Sequence, residues 1–155
     1  GYTPRPYFGH VIRVAPTAEV DVGAEVKILA KAMIKQIDRV ISDLCGQARH
    51  FRTKSPSATS VGLVGLNLAS HYVSFEGTRR YPTGEYGLHP YQEAPEAERR
   101  LLESAEQCFA EFLVLPFRAT NEPPYQFEWV NRQKTRDAYA AMLLRILRQY
   151  DRGQT

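Results

Sequence analysis

The sequence predicts an α/β protein with a mixed β-sheet, built from an N-terminal hairpin, a parallel crossover and helices packed on the sheet. Two observations predict this class. An alternating stretch at residues 20–29 leads directly into a long amphipathic helix pattern. A short and almost wholly apolar run at residues 61–66 follows that helix, which is typical of a strand buried on both faces of a parallel sheet.

The composition is that of an ordinary globular protein. The chain has 155 residues, of which 43% are hydrophobic and 24% charged, enough to bury a core within a single domain. Its longest apolar runs, such as residues 112–117, are far shorter than the ~20 residues that span a bilayer. The first residues are Pro-rich and polar, unlike a signal peptide. We therefore expect a cytoplasmic protein without a membrane partner.

The cysteines and basic residues bear on environment and partners. Cys45 and Cys108 fall on predicted helices without metal-ligand spacing, which favours free buried thiols in a reducing cytosol. The net charge is +3, and five of the 20 basic residues are lysines while the others are arginines. Arginine suits phosphate recognition, so this bias is compatible with a nucleic-acid partner, although GC-rich coding sequence would also produce it.

The N-terminal hairpin comes from two alternating stretches. Residues 8–14 predict a first strand and residues 20–29 a second, with a turn around Pro16 between them. So short a connection predicts antiparallel pairing. Gly23 inside the second strand indicates a bulge or the close approach of another segment.

The helix that follows is predicted over residues 30–51. Its apolar residues recur at three- and four-residue spacing: Met33, Ile34, Ile37, Val40, Ile41, Leu44, Ala48 and Phe51. The apolar strand at residues 61–66 ends at Asn67. Because a strand–helix–strand unit makes a crossover connection, this strand should run parallel to residues 20–29.

The second half of the chain is predicted with less regular structure. Residues 70–93 are predicted to form a long loop, and Pro95 to begin a helix that ends near Glu111. Residues 112–119 predict a strand, placed at a sheet edge because of Pro116. Residues 121–130 follow as a loop. A last helix over residues 135–150 should turn these residues inward: Tyr139, Met142, Leu143, Ile146 and Leu147.

Glu25 and Lys27 are the candidate catalytic residues. They share one face of a predicted strand that leads into a long helix. The pair would hold a carboxylate and an ammonium side by side on a rigid element. A metal-assisted phosphodiester hydrolase needs such a pair, as an oxygen ligand for Mg²⁺ and a cation beside the scissile phosphate. The alternative is an ordinary half-exposed strand with a paired Glu and Lys.

The order of hairpin, acid-x-Lys strand, amphipathic helix and buried strand resembles the core of the PD-(D/E)xK nucleases, the restriction-endonuclease-like fold. The resemblance covers about residues 8–67, with Glu25 and Lys27 as the (D/E)xK pair. Some branches of that family carry a Gln on the next helix, followed four residues later by Tyr. Gln36 matches the first position, whereas Val40 stands at the second.

The resemblance implies an endonuclease that hydrolyses DNA with Mg²⁺ or Mn²⁺. Glu25 would bind the metal, Lys27 would stabilise the developing phosphorane charge or orient the attacking water, and Gln36 would hold that water or a phosphate. The basic residues expected to contact DNA are Lys31, Lys35, Arg39, Arg79 and Arg80. A solvated helix face is the alternative for the lysines, and a surface loop for the two loop arginines. A homodimer or a larger protein complex is compatible with this interpretation.

The family also has an acidic residue upstream of its (D/E)xK pair. The acids before Glu25 are Glu19 and Asp21, and Asp21 has the required strand parity. On a continuous strand it would lie about 13 Å from Glu25, so that the two could share a metal only through a bulge at Gly23. Three explanations remain: a fragment without the first helix and strand of the core, which we favour; replacement by Glu19 or Asp21; or a degenerate site.

The missing acid keeps a second function open. It favours a catalytically inactive α/β binding or assembly module of a larger bacterial complex, as do the aromatic residues Tyr125, Phe127 and Trp129.

Histidine-containing motifs give no competing site. His89 and Glu93 have helical metal-ligand spacing, but Pro90 between them argues against a helix, so the spacing is interpreted as incidental. His10, His50 and His71 have no evident Cys or Asp partner in the sequence, so a hydrolytic triad is not expected.

Overall fold

The computed structural model describes residues 20–85 and 87–153. The predicted strand at residues 8–14, and with it the predicted hairpin, lies outside the described residues. The described chain forms, in order, β1 (Val22–Leu29), α1 (Met33–Lys54), β2 (Thr59–Asn67), β3 (Val73–Glu76), β4 (Arg79–Pro82), α2 (Pro90–Ser104), a 3-10 turn (Glu106–Cys108), β5 (Glu111–Ala119), β6 (Phe127–Trp129) and α3 (Arg132–Gly153).

A four-stranded mixed sheet organises these elements in the order β1-β2-β5-β6. β1 pairs parallel with β2, β2 pairs parallel with β5, and β6 is antiparallel to the end of β5. The predicted α/β class and the predicted parallel pairing across the first helix are therefore confirmed. β3 and β4 form a separate antiparallel hairpin.

The core lies between one face of the sheet and the helices α1 and α2. The apolar stripe of α1 is buried there. Side chains of β1, β2, α1 and α2 meet in this core: Leu29, Met33, Ile37, Leu44, Val64, Leu66, Ala97 and Leu101. α1 begins three residues later than predicted because Ala32 adopts a left-handed conformation with φ 47°, which cannot belong to a right-handed helix.

The opposite face of the sheet is less completely covered. Val26 and Ile28 alternate with the core-facing residues of β1, and Ile28 is 68% exposed. On β5, the buried Glu111 receives a bidentate ion pair from Arg145 of α3, with nitrogen–oxygen distances of 2.7–2.9 Å. The predicted inner face of α3 is largely wrong: Met142 is buried, but Tyr139, Leu143 and Leu147 are exposed.

Helix α2 begins earlier than predicted. Pro90 occupies its first position and Pro95 lies inside it. Proline is tolerated at the first position because that residue's N–H would have no intrahelical partner. The prediction that Pro95 begins the helix is therefore wrong. The helix also ends at Ser104 and gives way to a 3-10 turn instead of continuing to Glu111.

Two predicted loops contain strands. Residues 70–93 include the β3–β4 hairpin and the first turn of α2, and residues 121–130 include β6. The predicted edge position of residues 112–119 is wrong, because β5 lies between β2 and β6 in the sheet, although β6 pairs with it only from Phe117 onward. Among the described residues, no helix combines the length and hydropathy that a bilayer crossing requires.

The prediction of two free thiols is wrong. Cys45 of α1 and Cys108 of the 3-10 turn form a disulfide across a sequence separation of 63 residues. Their Cα atoms lie 5.3 Å apart, within the range that a disulfide requires. The cysteines thus give no support to the predicted cytosolic location.

Candidate active site at the edge of β1

Glu25 and Lys27 form an ion pair on β1. The Lys27 Nζ and the Glu25 Oε1 are 2.9 Å apart, and their side chains are 32% and 22% exposed, respectively. Strand alternation places both on the face that carries α1, together with Gly23 and Leu29. The structure therefore brings the two predicted catalytic residues together in a position that solvent and a ligand can reach.

β1 is an edge strand among the described residues, since it pairs with β2 on one side alone. Its register with β2 is continuous over its whole length, from Val22 opposite Thr59 to Leu29 opposite Leu66. Gly23 marks a close approach and not a bulge, because a Cβ atom there would lie 2.6 Å from the ring of Phe51. A larger residue at this position would have to displace the Phe51 ring.

The prediction that Asp21 shares a metal ion with Glu25 is therefore contradicted. The Asp21 carbonyl accepts a hydrogen bond from the Thr59 N–H at 2.8 Å, which extends the β1–β2 ladder by one residue. Without a bulge, the four-residue separation keeps the Cα atoms of the two residues about 13 Å apart. Asp21 is too distant to complete a site at Glu25.

Residues 20–85 and 87–153 do not provide a complete set of protein ligands for the metal predicted at this site. No group of three His, Cys, Asp or Glu residues in these ranges could hold an ion. Glu25 supplies one carboxylate, and Mg²⁺ in proteins commonly takes one or two together with waters and substrate phosphates.

Gln36 lies on the first turns of α1. Its Nε2 donates a hydrogen bond to the Lys31 carbonyl at 2.8 Å, so that this amide braces the segment between β1 and α1. Nine residues separate Gln36 from Cys45, which places the two on opposite sides of the helix. Because Cys45 is bonded to the chain that follows α2, Gln36 lies on the side of α1 away from α2.

The basic residues predicted to contact DNA divide into two groups. Lys31 and Lys35 line one cavity at the start of α1, and Arg39 is exposed one turn further along the helix. Arg79 and Arg80 lie on β4, where Arg79 is exposed. Arg80 pairs with Glu122 and lies over the ring of Phe75 at 5.8 Å, so this arginine already has partners in the fold.

His71 has an acidic partner, Glu122, that was not predicted from the sequence. Its Nε2 lies 2.7 Å from the Glu122 Oε2. The hydrogen bond to His71, together with the charge of Arg80, lowers the pKa of Glu122. The Ser70 hydroxyl contacts the other ring nitrogen of His71, Nδ1, at 3.2 Å. Ser70 and Arg80 are both exposed, so this cluster lies at the surface. His71 and Glu122 are 51 residues apart in the sequence, so no local sequence pattern predicts that they pair.

Glu93 has a structural role that was also missed. It lies in the first turn of α2 and is 6% exposed, and its carboxylate accepts the Met33 N–H at 3.0 Å and the Ile34 N–H at 3.4 Å. It thus caps α1, whose N-terminus has no side-chain cap of its own. The argument from Pro90 against a helix here was wrong, since Pro90 opens the helix.

Asn67 holds the carboxyl ends of the strands together. Its Nδ2 donates to the carbonyls of Ala30 and Ala119, and its Oδ1 accepts the N–H groups of Ala69 and Ala119, at distances of 2.8–3.2 Å. All four hydrogen-bonding positions of the buried amide are satisfied. This residue therefore fixes the chain that leaves β1, close to Lys31.

Comparisons with protein-family models, with curated proteins and with solved structures found no match for this chain.

Proposed function

We propose that this protein is a metal-dependent nuclease that hydrolyses DNA phosphodiester bonds at Glu25 and Lys27, on a restriction-endonuclease-like core. The observation that carries the proposal is the Glu25–Lys27 pair, 2.9 Å apart on an edge strand. The helix α1 and the parallel strand β2 follow it in the order that the resemblance implies.

The exposure of the pair supports a chemical role over a purely structural one. A partly exposed ion pair contributes only modestly to stability, because solvent screens the attraction between its charges. Both side chains retain free surface on the same face of β1, where a phosphate could approach the ammonium. Lys27 would then stabilise the negative charge that develops on the phosphoryl oxygens, and Glu25 would orient a ligand beside them.

A bound Mg²⁺ or Mn²⁺ ion would polarise the phosphate and lower the pKa of a bound water molecule. Glu25 is the one described residue that we assign to such an ion. Gln36 keeps its Oε1 as a hydrogen-bond acceptor for the attacking water, while its Nε2 holds the Lys31 carbonyl.

A binding or assembly module is the second candidate function. It is favoured by the apolar groove on the open face of the sheet, about 460 Å³ in volume, where several side chains are exposed: Val26, Ile28, Tyr125, Phe127 and Trp129. Large exposed apolar surfaces often mark interaction sites. This function would need neither Glu25 nor Lys27.

The first experiment compares cleavage of plasmid and single-stranded DNA in Mg²⁺, in Mn²⁺ and in EDTA. We expect metal-dependent cleavage that falls by at least about 100-fold in Glu25→Gln and in Lys27→Met, the scale of losing a preorganised electrostatic contact in a transition state. Glu128→Gln is the matched control, because Glu128 is also in an ion pair on a strand, with Arg118 at 3.2 Å.

The control variant should cleave like the wild type. Absence of cleavage by the wild type in both metals, or equal cleavage by Glu25→Gln, would reject the nuclease and leave the binding module.

A further inference from the structure

A second cavity lies beside the start of α1, separate from the groove on the open face. It has a volume of about 500 Å³, within the range of small-ligand sites. Its walls come from the first turn of α1, the β3–β4 hairpin and the segment before α2, and include Lys31, Lys35, Tyr81, Pro82 and Leu88. The cavity therefore opens next to the carboxyl end of β1.

Two of the four charged residues that line this cavity are lysines, which can bind an anion. Within residues 20–85 and 87–153, neither Lys31 nor Lys35 takes part in an ion pair. Two acids also line the cavity, but Glu93 is buried and its oxygens accept the N–H groups of α1, while Glu76 is exposed on β3. The two ammonium groups are thus available to a phosphate.

The remaining wall suits a flat apolar group. Tyr81 is half-buried, and it lines the cavity together with Ile34, Pro82 and Leu88. An aromatic ring beside lysines is the combination that binds a base and its phosphate, because stacking accepts any base and the cations hold the backbone.

The segment that carries Lys31 is braced. Gln36 holds its carbonyl, and Glu93 holds the N–H of Met33 two residues further on. Between these contacts, Ala32 adopts its left-handed conformation. The backbone at Lys31 is therefore fixed before a ligand arrives, which lowers the entropic cost of binding.

From these observations we propose that the cavity binds one nucleotide of a DNA strand, with its phosphate on Lys31 and Lys35 and its base against Tyr81. Lys31 follows Lys27 by four residues, so their Cα atoms are at most about 14 Å apart. The proposal deepens the proposed nuclease function by naming where the substrate strand lies, and it rests on that function for the identity of the ligand. Binding itself needs no contribution from Glu25.

The test is fluorescence anisotropy with a labelled single-stranded 12-nucleotide DNA in EDTA, where no metal-dependent cleavage occurs. We expect Lys31→Ala/Lys35→Ala to weaken binding at least 10-fold and to reduce the salt dependence of binding by about two phosphate contacts. Tyr81→Leu, which keeps an apolar side chain, should weaken binding about 5-fold through lost stacking. Lys134→Ala, at an exposed lysine on α3, is the matched control and should change it less than 2-fold.

Competition with deoxyadenosine monophosphate identifies the source of the nucleotide. Displacement of the labelled strand by the mononucleotide, lost in the double variant, would show that a free nucleotide fills the cavity. Displacement by unlabelled oligonucleotide alone would show that the ligand is part of a strand. Either result supports nucleotide binding, whereas wild-type binding by a double variant that melts like the wild type, or no binding by the wild type, would overturn it.

The two proposals fail in different ways. Lysine-dependent binding without cleavage would reject the nuclease and keep the nucleotide site. Cleavage that depends on Glu25, together with DNA binding that is unchanged in Lys31→Ala/Lys35→Ala, would keep the nuclease and reject the nucleotide site.

Discussion

Glu25 on β1 and Glu93 on α2 are two carboxylates with different surroundings. Glu93 lies at the helix junction, which we define as the contact of α1 with α2 and the 3-10 turn, and it is buried with two backbone N–H partners. Glu25 lies at the edge of β1, is 22% exposed and has a single ion-pair partner, Lys27. Both belong to ordinary elements of the fold.

The difference separates structure from chemistry. A buried carboxylate needs hydrogen-bond partners within the protein, and Glu93 has them. Its oxygens are therefore occupied, and its removal should destabilise the junction. The carboxylate at the edge of β1 contributes little to stability and can exchange its partner for a ligand. The comparison predicts large stability effects at the helix junction and large activity effects at the edge of β1.

The disulfide Cys45–Cys108 should give the largest stability effect at the junction. Cys45→Ser/Cys108→Ser should lower the free energy of unfolding by about 2–4 kcal/mol, because the cross-link restricts the unfolded chain over a long loop. Urea unfolding of the variant and the wild type checks this value. Thiol titration of the denatured wild type should find no thiol before reduction and two after it; two thiols without reduction would contradict the pairing.

Glu93→Gln should give the next largest effect. The amide retains one acceptor for the two N–H groups at the start of α1 and loses the favourable charge at the helix N-terminus, which should lower the free energy of unfolding by about 1–3 kcal/mol. Glu98→Gln, at a half-exposed position on the same helix, should stay within about 0.5 kcal/mol of the wild type. Equal unfolding curves for the two variants would refute the capping role.

The ion pairs of Glu122 should give the smallest effect, and one that depends on pH. The hydrogen bond to His71, with the charge of Arg80, lowers the pKa of Glu122 below its ordinary value of 4.5. A lowered pKa stabilises the fold above pH 4.5, and this contribution disappears as the pH falls through the lowered pKa.

The measurement is the melting temperature of the wild type and of Glu122→Gln between pH 7 and pH 3. The wild type should melt higher near neutrality, and the two curves should converge below pH 4.5. A constant difference across this range would contradict the assignment.

Local patterns predicted the elements of the fold well where one residue period dominated. The stripe from Met33 to Ala48 identified α1, and alternation placed Glu25 and Lys27 on one face of β1. The apolar run of β2 predicted a strand parallel to β1. In α3, the same kind of stripe misled because the sheet covers only part of that helix, which leaves Leu143 and Leu147 exposed.

Contacts between distant residues could not be predicted. Glu93 and Met33 are 60 residues apart, and Cys45 and Cys108 are 63 apart, so that only the packing of α2 against α1 brings them together. The cavity beside α1 likewise depends on a hairpin that was expected to be a loop. Lys31 and Lys35 were predicted from the sequence to contact DNA, but the sequence does not show that they line one cavity with Tyr81.

The most direct test of the central claim measures cleavage and melting on the same preparations of Glu25→Gln and Glu93→Gln. We predict that Glu25→Gln melts like the wild type but loses metal-dependent cleavage, while Glu93→Gln melts at a lower temperature and still cleaves below its midpoint. Wild-type cleavage by Glu25→Gln would contradict the assignment of the active site to the edge of β1.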